Sequence, residues 1–407
     1  MRASPPHAKG AGAMEDSPAQ PVFTVGDDRL TLLETGADRL RALLELIGAA
    51  RTSLRLIFYI YADDRSGREV LDALVAAAGR GVSVHLVVDG FGSDAPGRFF
   101  RPLVDAGGCL CRFAPRWGRR YLLRNHQKLA LADSEGPGAR AITGGFNVED
   151  DYFDRNPRGN WRDLGLLVEG PAAARLGGYY DSLEAAIRHP RPKLRHLNRA
   201  LSRWSEREGP LRWLIGGPTR RLSPWARTMR ADMRRARRID LVAGYFTPSP
   251  SILRRLDRAG LRAQGPGGRG VRIVTAARSD NDTTIAAARF TYAGLLRKGV
   301  SIFEYQPAKL HTKLYAVDDA VYVGSANFDV RSLFINLELM LRVEDAAFAE
   351  HVRGYIDGEV ARSEAITEEA YKRRTGPVAR VRQFLAYLLV GVVDPGVTRG
   401  LNLGPGS

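Results

Sequence analysis

Two stretches of the chain each carry a histidine and a lysine two residues apart. Residues 125–150 read NHQKLALADSEGPGARAITGGFNVED, and residues 309–338 read KLHTKLYAVDDAVYVGSANFDVRSLFINLE. On a strand, side chains two apart project from the same face. A neutral imidazole can attack phosphorus while a neighbouring ammonium holds a non-bridging phosphate oxygen. One copy alone would be weak evidence, but two copies in the same order indicate phosphoryl-transfer chemistry.

The turn that follows each pair is rich in glycine and in hydrogen-bond donors. Glycine permits close backbone approach, and the amide and hydroxyl side chains beside it can donate to phosphate oxygens. Asp318 is an odd number of residues from His311, so on an undistorted strand it faces away, which favours a structural role for it. The predicted phosphate-loop glycines are Gly144, Gly145 and Gly324. The candidate catalytic residues are His126, Lys128, Asp133, Asn147, His311, Lys313, Asp318, Ser325 and Asn327.

A carboxylate stands at the head of a later strand in each half. It is Asp163 in WRDLGLLVEG and Glu338 in NLELMLRVED. A catalytic histidine works in one tautomer, which is usually set by an acceptor on its other ring nitrogen. Asp163 and Glu338 are therefore predicted to orient His126 and His311.

The presence of two copies suits phosphodiester exchange, which needs a nucleophile on one side of phosphorus and an acid on the other. Two histidines from two pseudo-symmetric halves can flank one phosphate. Two lysines and two asparagines can then neutralise the charge on its oxygens, so no metal ion and no cofactor is expected. General acid catalysis of this kind typically contributes ~10²–10⁴-fold.

The two stretches occupy matching points of a repeat about half the chain long, with His126 and His311 lying 185 residues apart. A strand–helix–strand pattern precedes each one. This predicts an α/β fold of two pseudo-symmetric domains, each a mostly parallel mixed sheet flanked by helices, with the active site at their interface. The predicted divisions are a disordered lead-in at 1–20, domains at 21–200 and 201–365, and a basic and apolar tail at 366–407.

The net charge is +16 and the sequence pI is near 10.2. A basic surface favours polyanions, either nucleic acid or anionic lipid headgroups. Free use of arginine along the whole chain is the alternative explanation. No stretch approaches the ~18 apolar residues of a spanning helix, and the N-terminus lacks the apolar core of a secretory signal. The expectation is a cytoplasmic protein, peripheral on the inner face of the cell membrane.

In these residues the chain resembles the phospholipase D superfamily, whose signature is H-x-K-x-x-x-x-D followed by G-[SG]-x-N. The resemblance spans nearly all of residues 50–350. Within the superfamily the chain is most similar to bacterial cardiolipin synthases, through RNHQK, GGFN, NWRDLGLLVEGPA, GYFTPSP and GSANFDVRSLFINLE. Many of those enzymes begin with membrane-spanning segments, and this chain resembles the shorter members.

The resemblance implies a two-step reaction through a phosphatidyl-histidine. His126 would be the nucleophile, and His311 the acid and then the base. The donor would be a phospholipid such as phosphatidylglycerol and the acceptor the glycerol headgroup of another, with an anionic membrane surface as partner and not nucleic acid. A hydrolase of the superfamily, either phospholipase or nuclease, is the first alternative, because water and glycerol attack the same intermediate. A non-catalytic membrane-binding protein is the second, although intact motifs in both halves argue against it.

Two further segments could meet a membrane. Residues 377–393 read PVARVRQFLAYLLVGVV and follow the basic run YKRR. They are too short to span a bilayer, so they form either an interfacial helix or a helix packed on the protein or on a second subunit. Residues 114–128 mix arginines with Trp117 and Tyr121, and either line the entrance to the site or form an ordinary solvated loop.

Overall fold

The computed structural model describes residues 20–114, 123–189, 194–219, 222–263 and 270–393. Its elements fall into two halves that repeat one another. The first half contains strands β1 (Val22–Val25), β2 (Asp28–Leu33), β3 (Ser53–Phe58), β4 (Ser83–Asp89), β5 (Cys109–Phe113), β6 (Leu129–Ala132), β7 (Arg140–Gly144), β8 (Trp161–Arg162) and β9 (Gly165–Glu169). Its helices are α1 (Gly36–Ala49), α2 (Arg65–Gly79), α3 (Arg101–Asp105), α4 (Pro171–Ala174), α5 (Leu176–Arg188) and α6 (Leu194–Trp204).

The second half follows the same plan. Its strands are β10 (Leu211–Gly216), β11 (Arg238–Ala243), β12 (Phe246–Thr247), β13 (Gly270–Ala276), β14 (Val300–Tyr305), β15 (Lys309–Leu310), β16 (Lys313–Val317), β17 (Ala320–Gly324), β18 (Phe328–Asp329), β19 (Glu338–Glu344) and β20 (Ser363–Ile366). Its helices are α7 (Pro224–Arg235), α8 (Pro250–Ala263), α9 (Asp282–Leu296), α10 (Val330–Phe334), α11 (Ala346–Ala361), α12 (Glu368–Arg374) and α13 (Pro377–Leu388).

Each half is built on an eight-stranded sheet. The orders are β1-β2-β9-β7-β6-β3-β4-β5 and β10-β19-β17-β16-β11-β13-β14-β20. Seven strands of one sheet match seven of the other in order, from β2 with β10 through to β5 with β14. The eighth strand is added at opposite edges, as β1 in the first sheet and β20 in the second. This correspondence confirms the duplicated α/β fold.

The expectation that each sheet would be mostly parallel is wrong. Only the pairings β3–β4 and β4–β5 are parallel in the first sheet, and only β11–β13 and β13–β14 in the second. The remaining pairings in both sheets are antiparallel. The helical crossover that gives parallel strands is present twice in each half, but the motif strand turns straight back on itself. In the second half a turn at Asp318 and Asp319 joins β16 to β17, and a connection that short forces antiparallel pairing.

The two sheets pack around a shared apolar core. One buried cluster combines side chains from both sheets, such as Leu129 and Leu314, with side chains of α5 and α11, such as Tyr180 and Val352. A second cluster lies between the first sheet and α1 and α2, and a third between the second sheet and α7, α8 and α9. The shared core fixes the relative position of the halves, which is what a site between them requires.

Two of the predicted domain boundaries fall within elements of the structure. The predicted division between residues 200 and 201 falls inside α6, which runs continuously through that position, and the predicted end at residue 365 falls inside β20. Residues 1–19 of the predicted lead-in lie outside the described residues. Within the described part of the chain, no helix combines the length and the apolarity needed to cross a bilayer.

Candidate active site

The two motif histidines are each bonded to a carboxylate from the opposite half. His126 Nδ1 lies 3.1 Å from both carboxylate oxygens of Glu338. His311 Nδ1 lies 2.6 Å from Asp163 Oδ2. The two predicted orienting carboxylates therefore do contact the histidines, and the pairing crosses between the domains. All four side chains are buried.

The crossing follows from two short backbone bridges between the halves. The His126 amide donates to the Leu337 carbonyl oxygen at 3.0 Å, next to Glu338 in the chain. The His311 amide donates to the Arg162 carbonyl oxygen at 2.8 Å, next to Asp163, where β15 pairs with β8 in parallel. In both cases the backbone that carries the histidine lies against the residue just before the other half's carboxylate. The same contact is thus made twice, related by pseudo-symmetry.

The carboxylates fix the tautomer of each imidazole. Burial alone would raise the pKa of Asp163, but His311 and Lys313 bring that pKa below its usual value. The pKa of Glu338 is lowered against the same effect of burial, chiefly by His126. An ionised carboxylate only accepts hydrogen bonds, so Nδ1 of each histidine must donate and Nε2 is left with a free lone pair.

Burial favours the neutral form of both imidazoles. Burial lowers the pKa of His126, although Glu338 opposes it. Burial, assisted by Lys313, lowers the pKa of His311 to about 3. A neutral imidazole with Nε2 free is the form that can attack phosphorus. A bound phosphodiester would bring negative charge beside the rings and favour the protonated form that the acid step needs.

The two lysines are buried beside their histidines. Lys128 Nζ donates to the His126 carbonyl oxygen at 2.7 Å, and Lys313 Nζ donates to the His311 carbonyl oxygen. Burial lowers the pKa of Lys313 to about 8 and lowers the pKa of Lys128 well below its usual value. An ammonium group held out of water attracts an anion such as phosphate strongly, and a bound anion would in turn favour the charged form of both lysines.

A cavity of about 710 Å³ opens between the two halves and contains both imidazoles. Aromatic rings contact the histidines there: Tyr59 lies 5.1 Å from the His126 ring, and Tyr152 and Trp161 each lie 5.3 Å from the His311 ring, measured between centroids. The other lining side chains are mostly polar: Arg124, Asn147, Glu149, Asp151, Tyr245, Asp280, Asn281, Lys309, Asn327, Asp329, Arg331 and Asn336. A charged headgroup fits such walls better than an acyl chain does.

The two predicted asparagines both line this cavity. The Ile60 amide donates to Asn147 Oδ1 at 3.0 Å, so the Asn147 amino group lies on the side away from Ile60. Asn327 is 9% exposed and its Oδ1 has no hydrogen-bond partner among the described residues. A buried amide without a partner is costly, so Asn327 has spare bonding capacity for a bound ligand.

Ser325 and the predicted phosphate-loop glycines serve the orienting carboxylates and the strands rather than the cavity wall. Ser325 Oγ donates to Glu338 Oε2 at 2.6 Å. A Cβ on Gly145, at the matching position of the first half, would lie 2.4 Å from Asp163 Oδ1. A Cβ on Gly144 or Gly324 would lie 2.3 or 2.2 Å from a carbonyl oxygen of the neighbouring strand. The close approach that these glycines allow is therefore within the protein, and none of these four residues lines the cavity.

Asp133 and Asp318 are predicted among the catalytic residues, but the structure places both away from the cavity. Each sits in a turn with positive φ, +52° for Asp133 and +49° for Asp318, a conformation that aspartate tolerates better than most residues. The Asp133 carboxylate accepts from the backbone amides of 51–53, and the Asp318 carboxylate from those of 237 and 238. They lie at the far end of the motif strands, ~20 Å from the histidines at ~3.3 Å per residue.

The aspartates are accordingly expected to affect stability and not chemistry. Asp318→Ala should lower the free energy of unfolding by about 1 kcal/mol, because the exposed amide of Arg237 and the partly buried amide of Arg238 lose their acceptor. Turnover per folded molecule should be unchanged. Chemical denaturation and a parallel activity assay check this, with Asp318→Asn as the control that keeps an acceptor oxygen. A large loss of turnover in a fully stable Asp318→Ala protein would restore a catalytic role.

Some members of the site escaped the sequence reasoning. Ser332 Oγ donates to Glu338 Oε1 at 2.7 Å, so two hydroxyls hold the carboxylate that orients His126. Glu149 and Asp329 stand two residues after Asn147 and Asn327 respectively, and both line the cavity. Burial raises the pKa of Glu149 to about 7 and that of Asp329 to about 6. Their equal offset from the asparagines was the available signal. Trp117 and Tyr121, considered for the entrance, lie outside the described residues.

Comparison with known proteins agrees with this geometry. The family model described as "Cardiolipin synthase, PLD-like domain" matches residues 43–174 and again 229–359. Cardiolipin synthase A of Pseudomonas entomophila is 32% identical over 354 residues, covering 85% of this chain and 71% of the relative. Cardiolipin synthase 1 of Bacillus anthracis is 30% identical over 369 residues, covering 86% and 70%.

The fold is also found in a solved structure. The phosphatidylserine synthase of Haemophilus influenzae Rd KW20 superposes with a TM-score of 0.72 at 11% identity, covering 94% of this chain and 97% of that one. At that identity the likeness concerns the fold alone, and it extends over both halves. Two family-model matches and relatives of 30% identity or more over most of their length agree with the paired motifs, and the chain therefore belongs to the cardiolipin synthase family of phospholipase D-like proteins.

Proposed function

We propose that this protein is a phosphatidyltransferase that makes cardiolipin. It transfers the phosphatidyl group of one phosphatidylglycerol molecule to the glycerol headgroup of another phospholipid. The observation that supports this most directly is the pair of imidazoles in one cavity, each with Nδ1 bonded to a carboxylate of the opposite half. Two oriented groups at one phosphate can act as nucleophile and acid, and cardiolipin synthases among the relatives indicate the substrate class.

In the first step, Nε2 of one histidine attacks phosphorus and a P–N bond forms. The P–O bond to the headgroup breaks, and the other histidine donates a proton to the departing glycerol oxygen. We assign the nucleophile to His126 and the acid to His311 by the resemblance to the family, since both imidazoles are bonded through Nδ1 to a carboxylate and either could take either role. The lysine ammonium groups and the asparagine amides stabilise the charge on the phosphoryl oxygens.

In the second step the acceptor replaces the free glycerol. His311, now neutral, takes the proton of the acceptor hydroxyl, whose oxygen attacks phosphorus. The P–N bond breaks, and His126 returns to its starting form while His311 regains its proton. The covalent bond between His126 and phosphorus divides one difficult displacement into two easier ones. With phosphatidylglycerol as donor and acceptor, two molecules give one cardiolipin and one glycerol.

We further propose that the reaction takes place at an anionic membrane surface on the cytoplasmic side of the cell membrane. The charge of +16 supports this, because the cytoplasmic leaflet is negatively charged.

The test is a product analysis with the purified protein on phosphatidylglycerol vesicles. We expect cardiolipin and free glycerol in equal amounts, separated and identified by mass. Phosphatidic acid and glycerol without cardiolipin would overturn transfer in favour of hydrolysis. Cleavage of single-stranded DNA without any lipid turnover would overturn the lipid substrate itself, and binding to that DNA should then weaken steeply as salt rises.

A further inference from the structure

Helix α13 and the turn after it, Leu389–Val393, carry an apolar face that the rest of the described chain leaves exposed. Val378 is 84% exposed, Val381 58%, Leu385 55% and Leu389 54%. Spacings of three and four residues place these side chains on one side of a helix. Of the eleven large apolar residues exposed in the described chain, six lie here. The outer face is defined here by Val378, Val381, Phe384, Leu385, Leu388 and Leu389.

The helix is already held in place by its opposite side. Tyr387 donates through its hydroxyl to the Pro248 carbonyl oxygen at 3.1 Å, and its ring lies 5.0 Å from the Phe290 ring on α9. Ala386 packs with Ala286 and Ala287 of α9. Phe384, at the edge of the outer face, also touches the Phe290 ring at 5.6 Å between centroids. These contacts leave most of the outer face free for another surface, and a concentration of exposed apolar residues of this size usually marks an interaction site.

The outer face continues into the rim of the catalytic cavity. An apolar groove of about 680 Å³ runs between α13 and the first turn of α9, where Asp282, Thr283 and Ala286 form one wall. The two residues just before them, Asp280 and Asn281, line the catalytic cavity. At most ~4 Å of chain separates one residue from the next, so the walls of the groove and of the cavity are neighbours at the start of α9.

The surroundings of the outer face are basic. Residues 366–393 contain five basic side chains and two acidic ones. Arg380 and Arg382 lie exposed on α13 itself, and the exposed Lys372, Arg373 and Arg374 precede it on α12. An apolar stripe bordered by arginines and lysines matches the boundary between acyl chains and anionic headgroups.

We propose that the outer face of α13 lies in the surface of a membrane containing anionic phospholipid and holds the mouth of the catalytic cavity against the headgroups. The proposal rests on the proposed function for the identity of the lipid that enters the cavity. The groove then gives the acyl chains of that lipid a path along α13 while its phosphodiester reaches the polar cavity. A helix lying in the interface is sufficient for this arrangement.

Vesicle binding by the full chain tests the docking face. The double variant Val381→Ser/Leu385→Ser alters two exposed side chains, so it should fold normally. On vesicles of phosphatidylcholine mixed with phosphatidylglycerol, its partitioning should fall about tenfold or more, because apolar area no longer enters the bilayer. Val104→Ser, which changes an exposed valine on α3, is the matched control and should bind as the wild type does. Wild-type binding should be much weaker to phosphatidylcholine alone.

The outcomes separate docking from chemistry. Unchanged vesicle binding by the double variant would overturn the proposal. So would a shift from dimer to monomer in sedimentation caused by the same substitutions, since the face would then contact a second copy. The double variant should lose much less turnover on a short-chain phosphatidylglycerol that stays monomeric in water than on vesicles, because only the vesicle reaction needs docking. If the wild type fails to turn over that lipid, the proposed function fails, whereas the vesicle measurement still decides the docking face.

Discussion

Replacing either motif histidine with alanine is expected to abolish transfer. In His126→Ala and His311→Ala, cardiolipin formation from phosphatidylglycerol should drop by ~10⁴-fold or more, since residues that act as one catalytic unit each cost nearly the whole rate when removed. Mass analysis of the lipid products checks this. His85→Ala is the control, because His85 is paired with Glu184 outside the cavity, 2.9 Å from its carboxylate. Full activity in either motif variant would refute the two-histidine mechanism.

The same variants separate nucleophile from acid. p-Nitrophenol is a good leaving group, so it departs from a phosphatidyl donor without help from an acid. With that donor, His311→Ala should release p-nitrophenol in a burst and retain a lipid adduct, which the mass of the protein would reveal. His126→Ala should give neither burst nor adduct. The reverse result would exchange the two roles and leave the mechanism otherwise intact.

The second large effect is expected from the orienting carboxylates. Glu338 accepts from His126 Nδ1 and from the hydroxyls of Ser325 and Ser332. Glutamine would place an amino group against one of these three donors, so the imidazole would lose its fixed tautomer. Glu338→Gln and Asp163→Asn should each reduce kcat ~10²–10⁴-fold, by comparison with loss of the carboxylate in a serine protease triad.

The crossed pairing makes this prediction specific. Glu338 raises the pKa of His126 against the effect of burial, so Glu338→Gln should lower the pKa of His126 further. It should leave the pKa of His311 nearly unchanged. Asp163→Asn should lower the pKa of His311 and leave the pKa of His126 nearly unchanged. NMR titration of the imidazole signals in each variant measures both. A shift confined to the histidine of the same half would contradict the exchanged contacts.

The sequence predicted which residues form the site more completely than it predicted which of them contact each other. Spacing alone identified the two histidines and lysines, because a strand repeats every two residues. It selected Asp163 and Glu338 but gave no basis for assigning each to a histidine, since the copies look alike and only the backbone bridges at Arg162 and Leu337 decide it.

Other features depend on geometry that a linear pattern does not carry. Asp133 and Asp318 share the motif with the histidines, yet the strand length takes them away from the cavity. The glycines of the predicted phosphate loop are required by neighbouring carbonyl oxygens and by Asp163, which no local pattern contains. The prediction of mostly parallel strands was wrong because the helical crossovers account for only two pairings in each half, and the short turn after β16 makes the next pairing antiparallel. The cavity-lining aromatic rings come from separate segments of the chain, among them the bend at Tyr59 and strand β8 at Trp161.

The exchanged carboxylates have a consequence for the history of the duplicated gene. After most duplications one copy is free to drift, because the other continues to work. Here each repeat keeps its partner's imidazole in the reactive tautomer, so damage to one repeat silences a residue encoded in the other. A damaging mutation in either repeat therefore impairs the whole site, so selection acts against it and neither repeat can change independently. This mutual dependence explains why the motifs stand intact in both halves while the sequence around them has diverged.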